Sequence, residues 1–158
     1  MKIIHIINSL KKSGAESSLY RLTKFHKEKY ENKIDITIIT LIDNGFYEAD
    51  LKKKGIKVFS LGIKKNNNYF KLLQKIFKFR DFIKKERPDI IQSWMYHSNF
   101  LTIFIPIKFS KNIFWNIRHT VLNFKISKKT TILISIFCAI FSRFVPKKII
   151  YCSEKSII

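Results

Sequence analysis

Four short stretches carry the residues whose types and spacing could do chemistry. Ser13-Gly14-Ala15-Glu16 closes the loop after the apolar run 2–7, and Leu19, Leu22 and Phe25 follow it. His97 lies in "SWMYHSN", Arg118 and His119 in "NIRHT", and Ser153 and Glu154 in "YCSE". A strand, a small-residue turn and a helix start offer backbone N–H groups to a phosphate. The first helical turn leaves those groups unpaired and carries partial positive charge. The same pattern also fits a plain turn in which Glu16 favours the helix dipole. It is not a Walker loop, because no G-K-[ST] follows, and the G-x-G-x-x-G spacing is missing, Gly14 being the only glycine in the loop. His97 and His119 fall at the ends of adjacent predicted strands, on the predicted ligand edge. As a pair they suggest a site more strongly than either does alone, although each also fits a structural role. Neighbours on a strand point to opposite faces, so only one of Arg118 and His119 can face a cleft.

The elements that must position these residues alternate along the chain. Strands are predicted at 2–7, 33–42, 56–61, 89–94, 112–120 and 147–153. Helices are predicted at 15–29, within 44–55 with a stop at Gly55, at 70–86, at 96–108 up to Pro106, and at 128–144. The second strand is rich in β-branched residues. The helix at 70–86 has Leu72, Leu73, Ile76, Phe79 and Ile83 at helical spacing and ends before Pro88. The fourth strand opens on a continuous apolar run, as a parallel strand buried on both faces does. Strands separated by helical segments make βαβ units. The expected fold is therefore α/β, a Rossmann-like doubly wound parallel sheet of about six strands with helices on both faces. In such a sheet ligands sit beyond the carboxyl ends of the strands, where all four stretches fall.

Bulk composition sets the frame. A chain of 158 residues is one domain with room for a substantial core. Hydrophobic residues at 46% and charged residues at 27% are globular values, not disordered ones. The formal charge of +20 suggests an anionic partner such as nucleic acid, anionic lipid or a phosphorylated ligand. A bias of an AT-rich genome toward lysine over a solvated surface would give the same balance. Lysine dominance suits an anionic membrane better than sequence-specific reading, where arginine is the better tool, and no nucleic-acid motif is visible. Cys138 and Cys152, with no CxxC pair, read as buried free thiols of a reducing cytosol. No signal peptide is visible. The greasy stretch at 130–145 is shorter than a spanning helix needs and reads as a buried or interfacial helix.

The four stretches, taken in order, resemble the glycosyltransferase family 4 enzymes. "MKIIHIINSLKKSGAESSLYRL" resembles their opening strand, small-residue loop ending G-G-A-E, and helix. "RPDIIQSWMYHSNFL" looks like their segment with a histidine after the fourth strand, "NIRHT" is similar to their fifth-strand ending, and "IIYCSEKSI" to their sixth strand and the helix after it. Ser13 stands where the family has its first loop glycine, and Trp94 or a neighbour stands where it has a further histidine. The resemblance implies the GT-B architecture, two Rossmann-like domains across a cleft, with residues 1–158 forming the N-terminal, acceptor-side domain. The last helix would be cut short, and the C-terminal donor half with its Glu-x7-Glu motif would be absent.

The resemblance further implies a retaining, metal-independent transfer of sugar from a nucleotide-sugar to a growing glycan of the cell-surface polysaccharide or lipopolysaccharide type. Ser13, Gly14 and Ala15 would approach the donor diphosphate, and His119 would act near the transferred sugar. His97, Arg118, Ser153 and Glu154 would line the acceptor cleft. No cofactor is expected beyond the nucleotide-sugar as substrate. The expected partners are a glycan or lipid-linked acceptor, a separate C-terminal half, and an anionic membrane. The expected location is cytoplasmic, peripheral on the inner membrane face. Alone, the chain is expected to be inactive. The competing expectation is a stand-alone Rossmann-like nucleotide-binding module, or a basic module for nucleic acid or membrane, without transferase activity.

Overall fold

A computed structural model describes residues 1–30, 33–43, 45–64, 66, 68–110, 112–118 and 129–152. Six strands, β1 (Lys2–Ile7), β2 (Asp35–Thr40), β3 (Lys57–Ser60), β4 (Ile90–Trp94), β5 (Ile113–Ile117) and β6 (Lys148–Tyr151), form one sheet. Its order is β3-β2-β1-β4-β5-β6, and every pairing is parallel. Among the described residues six helices lie between them, α4 and α5 both between β4 and β5: α1 (Gly14–Lys29), α2 (Glu48–Lys53), α3 (Tyr69–Glu86), α4 (Met95–Thr102), α5 (Ile107–Ser110) and α6 (Lys129–Phe141).

Side-chain alternation divides the core in two. Ile7, Ile36 and Ile38 pack with Leu19 of α1 and Leu51 of α2 on one face. On the other, Ile4, Ile6, Ile39, Ile91, Ile113 and Trp115 pack with α3, α4 and α6 through Phe79, Ile83, Leu101 and Cys138. Burying one such isoleucine contributes roughly 1.5–3 kcal/mol, which is why isoleucines dominate the central strands, with His5, Thr37, Thr40 and Ser93 buried among them. The doubly wound sheet with helices on both faces is therefore as expected.

Element boundaries shift from those expected, at two places for a visible reason. β2 spans six residues, because Lys33 and Ile34 are taken up by a turn in which both N–H groups bond the Tyr30 carbonyl, at 2.9 and 3.2 Å. The helix expected to run to Pro106 ends at Thr102. Proline bars its predecessor from helical backbone, and the chain approaches it through tighter turns, with Phe104 N–H on Leu101 O and Ile105 N–H on Thr102 O. A separate turn of helix, α5, starts just after the proline. The thiols also divide: Cys138 is buried, but Cys152, just past the short edge strand β6, is exposed.

Candidate functional site

β1 and β4 lie side by side, with Ile7 opposite Trp94 at their carboxyl ends. From there α1 leaves over one face and α4 over the other, so the edge between them is left open. This divergence is the topological switch point at which doubly wound sheets bind ligands. A cleft of about 450 Å3 occupies it, walled by the Ser13–Glu16 loop, by Met95 and His97 of α4, by Arg118 just past β5, and by Thr131 of α6. Of the residues expected at a site, the fold thus brings together Ser13, Gly14, Ala15, His97 and Arg118. His119, Ser153 and Glu154 lie outside the described residues.

The opening loop is shaped from two sides. Ser13 is the N-cap of α1, in extended backbone, and makes no side-chain cap bond to the helix. Instead the Glu16 carboxylate reaches back and accepts hydrogen bonds from the Ser13 and Ser9 hydroxyls. Ser17 N–H is already taken by the Ser13 carbonyl, at 2.9 Å, which leaves the N–H groups of the preceding residues as the first turn's open donors. A Cβ added to Gly14 would stand in open space, with no atom within 4 Å. From below, Tyr47 N–H bonds the Leu10 carbonyl at 3.0 Å, and Gly45 presses on Leu10 so closely that a Cβ there would lie 2.7 Å from the Leu10 Cα.

Among the described residues that line the cleft, Arg118 is the fixed cation. Its guanidinium lies over the Trp94 ring, 4.8 Å from the centroid. Its Nη1 donates to Ser18 Oγ at 2.9 Å, and Ser18 Oγ donates to the Gly14 carbonyl at 3.0 Å. The arginine is thereby tied to the first turn of α1, while its buried Nε has no hydrogen-bond partner among the described residues. A delocalised cation stacked on a ring and held in a fixed plane is suited to a bidentate oxyanion. Strand alternation left open which of Arg118 and His119 faces the cleft; Arg118 lines it.

Two participants were not legible beforehand. Ser18 carries no motif, and only the fold brings it beside a residue 100 positions away. Met95 sits at the strand-to-helix corner with φ 71°, a left-handed backbone that costs a side-chain-bearing residue about 1–2 kcal/mol. Glycine or asparagine would have flagged such a corner; methionine does not. Trp94 is core rather than rim: it is buried, and its Nε1 donates to His5 Nδ1 at 3.4 Å.

A second hollow, of about 420 Å3, opens at the opposite edge among Met1, Lys2, Lys27, Asp35 and Asp89. Strands begin there, no helix start lines it among the described residues, and its carboxylates are already engaged, Asp35 with Lys57 and Asp89 with the Lys2 N–H. The carboxyl-edge cleft is the better site on those grounds.

No protein-family model and no curated protein sequence matches the chain. Solved structures do match. The chain aligns over 99% of its length with Anabaena Alr3699/HepE in complex with UDP, at TM-score 0.69 and 17% identity, covering 39% of that protein. It aligns over 96% with a glycosyltransferase from Rickettsia africae, at TM-score 0.62 and 18% identity, covering 36%. The UDP-GlcNAc 2-epimerase of Methanocaldococcus jannaschii matches at TM-score 0.61 and 11% identity, with 99% of this chain and 40% of that one covered. A fold shared by a glycosyltransferase and an epimerase does not by itself select a reaction. The chain has the Rossmann-like half-domain fold of these proteins, as the GT-B resemblance implied, and spans about two-fifths of their length.

Proposed function

We propose that this chain is the acceptor-side half of a glycosyltransferase of family 4 type, working on a nucleotide-sugar and a growing glycan. The observation that carries the reading is the single cleft that joins the start of α1, His97 and the Trp94-stacked Arg118 at the switch point. The complex of HepE with UDP and glucose, which shares this fold at TM-score 0.70, supports a nucleotide-sugar as the ligand class. In this reading the Gly14–Ala15 backbone approaches the diphosphate, and the Arg118 guanidinium offsets its charge. His97, Arg118, Ser153 and Glu154 line the acceptor side, and His119 stands near the transferred sugar. The transfer is retaining and needs no metal. Catalysis is then positioning plus stabilisation of the departing diphosphate by fixed donors. A second Rossmann-like half supplies most of the nucleotide contacts, so the chain alone is inactive. Work on lipid-linked acceptors of cell-surface glycans would place it at the inner face of the membrane.

A titration of the chain with UDP and UDP-glucose, followed by amide NMR, tests the site. Weak binding is expected, with shifts concentrated at Gly14–Ser18 and at Arg118. Arg118→Gln should weaken it about tenfold or more, the usual loss for a charge-assisted bond. Tight binding indifferent to Arg118, or shifts clustered elsewhere, would sink the assignment and favour a stand-alone nucleotide module.

A further inference from the structure

Helix α6 is apolar on both sides. Ile134, Cys138 and Phe141 face the core. The opposite side shows a continuous stripe to solvent: Leu133, Ile136, Phe137 and Ile140 at helical spacing, then Phe144, with Ile136 50%, Ile140 58% and Phe144 78% exposed. A helix that is apolar all round is ordinarily covered, and a patch of this kind marks an interaction surface. Its ends are cationic, Lys129 at the start and Arg143, Lys147 and Lys148 past the end, and residues 129–148 contain no Asp or Glu. α3, in the same helical layer, adds exposed Tyr69, Phe70, Leu73 and Phe77 among lysines.

We infer that the outer stripe of α6 lies in the headgroup zone of an anionic lipid surface, and that this brings the mouth of the cleft to the bilayer. At 13 residues α6 is too short to span, and among the described residues no helix is long and apolar enough to cross a membrane. An apolar stripe ended by cations is the pattern of a helix lying in the interface plane. Charge selects the occupant. A second copy would bring another +20 against a cation-rimmed face, whereas anionic headgroups neutralise it. Two further observations point the same way. Beside the stripe a mainly apolar slot of about 320 Å3 opens between α6 and β5–β6, lined by Trp115, Ile117, Ile136, Ala139 and Ile149 together with the hydroxyls of Ser135 and Ser142, room for a length of hydrocarbon chain. Thr131, in the first turn of α6, lines the cleft itself. α6 therefore starts beside the cleft, and the acceptor class this geometry serves is a lipid-anchored one. That last clause rests on the acceptor-side reading; the docking does not.

Co-sedimentation of the 158-residue chain with vesicles tests the docking. Vesicles of phosphatidylglycerol and phosphatidylcholine should pull the chain down, and phosphatidylcholine alone should not. Ile136→Ser with Ile140→Ser should lower the partition at least about tenfold, since each removes an inserted apolar side chain. Arg143→Gln with Lys147→Gln should lower it by a similar factor while raising the residual binding's tolerance of salt. Both pairs are at exposed or half-exposed positions, and circular dichroism checks that they fold. Three results would overturn the inference: no anionic-vesicle binding, binding untouched by the serine pair, or a dimer in solution that the serine pair dissolves. Displacement by DNA with no dependence on the stripe would assign the charge to nucleic acid instead. None of these outcomes alters the nucleotide titration, so the two readings fail separately.

Discussion

At the scale of single residues, Gly14 and Arg118 divide the work of the cleft. Gly14 is helical, and nothing in the protein requires its lack of a side chain. Gly14→Ala should therefore leave the fold intact or stabilise it by up to about 1 kcal/mol, the helix-propensity difference. The same methyl stands in the cleft wall, so UDP affinity should fall while Tm holds or rises. Parallel thermal melts and titrations decide it; a lost melt would mean that the glycine is structural. The loop was legible as strand, turn and helix because each part has a local cause. Arg118 was legible only as one of two alternatives on a strand. Its partners Ser18 and Trp94 come from α1 and β4, and no local rule links three segments so far apart.

At the scale of elements, two corners deserve tests. Gly45 lets the β2–α2 loop press on Leu10 and so hold the opening loop in place. Gly45→Ala should cost roughly 1–3 kcal/mol by overpacking and shift the amide signals of residues 10–16, which heteronuclear NMR would reveal. Arg87 ends α3 in left-handed backbone, φ 45°, its N–H on the Ile83 carbonyl. Arg87→Gly should stabilise the chain by about 1 kcal/mol, because glycine adopts that cap without steric cost. A fall in the denaturation midpoint would show that the arginine side chain contributes more than its backbone strain costs. The helix stop was foreseen from Pro88, but the left-handed cap was not, since arginine carries no such signal. Likewise Pro106 marked a helix boundary, yet the tighter turns begin four residues before it.

At the scale of the whole molecule, the buried His5 contributes a dependence of stability on acid. It lies under α1 in the sheet. Burial, aided by the nearby His26, lowers its pKa from near 6.5 to about 3. The unfolded chain thus takes up a proton that the folded chain refuses. Stability is full above about pH 6.5 and falls as pH drops toward 3, by up to about 1.4 kcal/mol per unit from this group. His5→Gln should flatten urea-unfolding free energies across that window; an unchanged slope would locate the acid sensitivity elsewhere. The parallel sheet of six strands was legible because β-branched runs and helical spacing alternate cleanly; the order of the strands within it came only from the structure. The exposed side of α6 was legible only as one of two alternatives, buried or interfacial, because an apolar run looks the same whether or not anything covers it.

The strand order also governs how the chain comes off the ribosome. β1 is made first, yet it ends in the middle of the sheet, paired on one side with β2 and on the other with β4. Ile3 meets its β4 partner, Ile90, only after 87 more residues are added (90 − 3). At about 5–20 residues per second that wait is roughly 4–17 s. During it one edge of an isoleucine-rich strand has no neighbour, which is the circumstance that invites sticking to other nascent chains. Yield in cells should accordingly depend on chaperone supply and growth temperature more steeply than the stability of the finished domain would suggest.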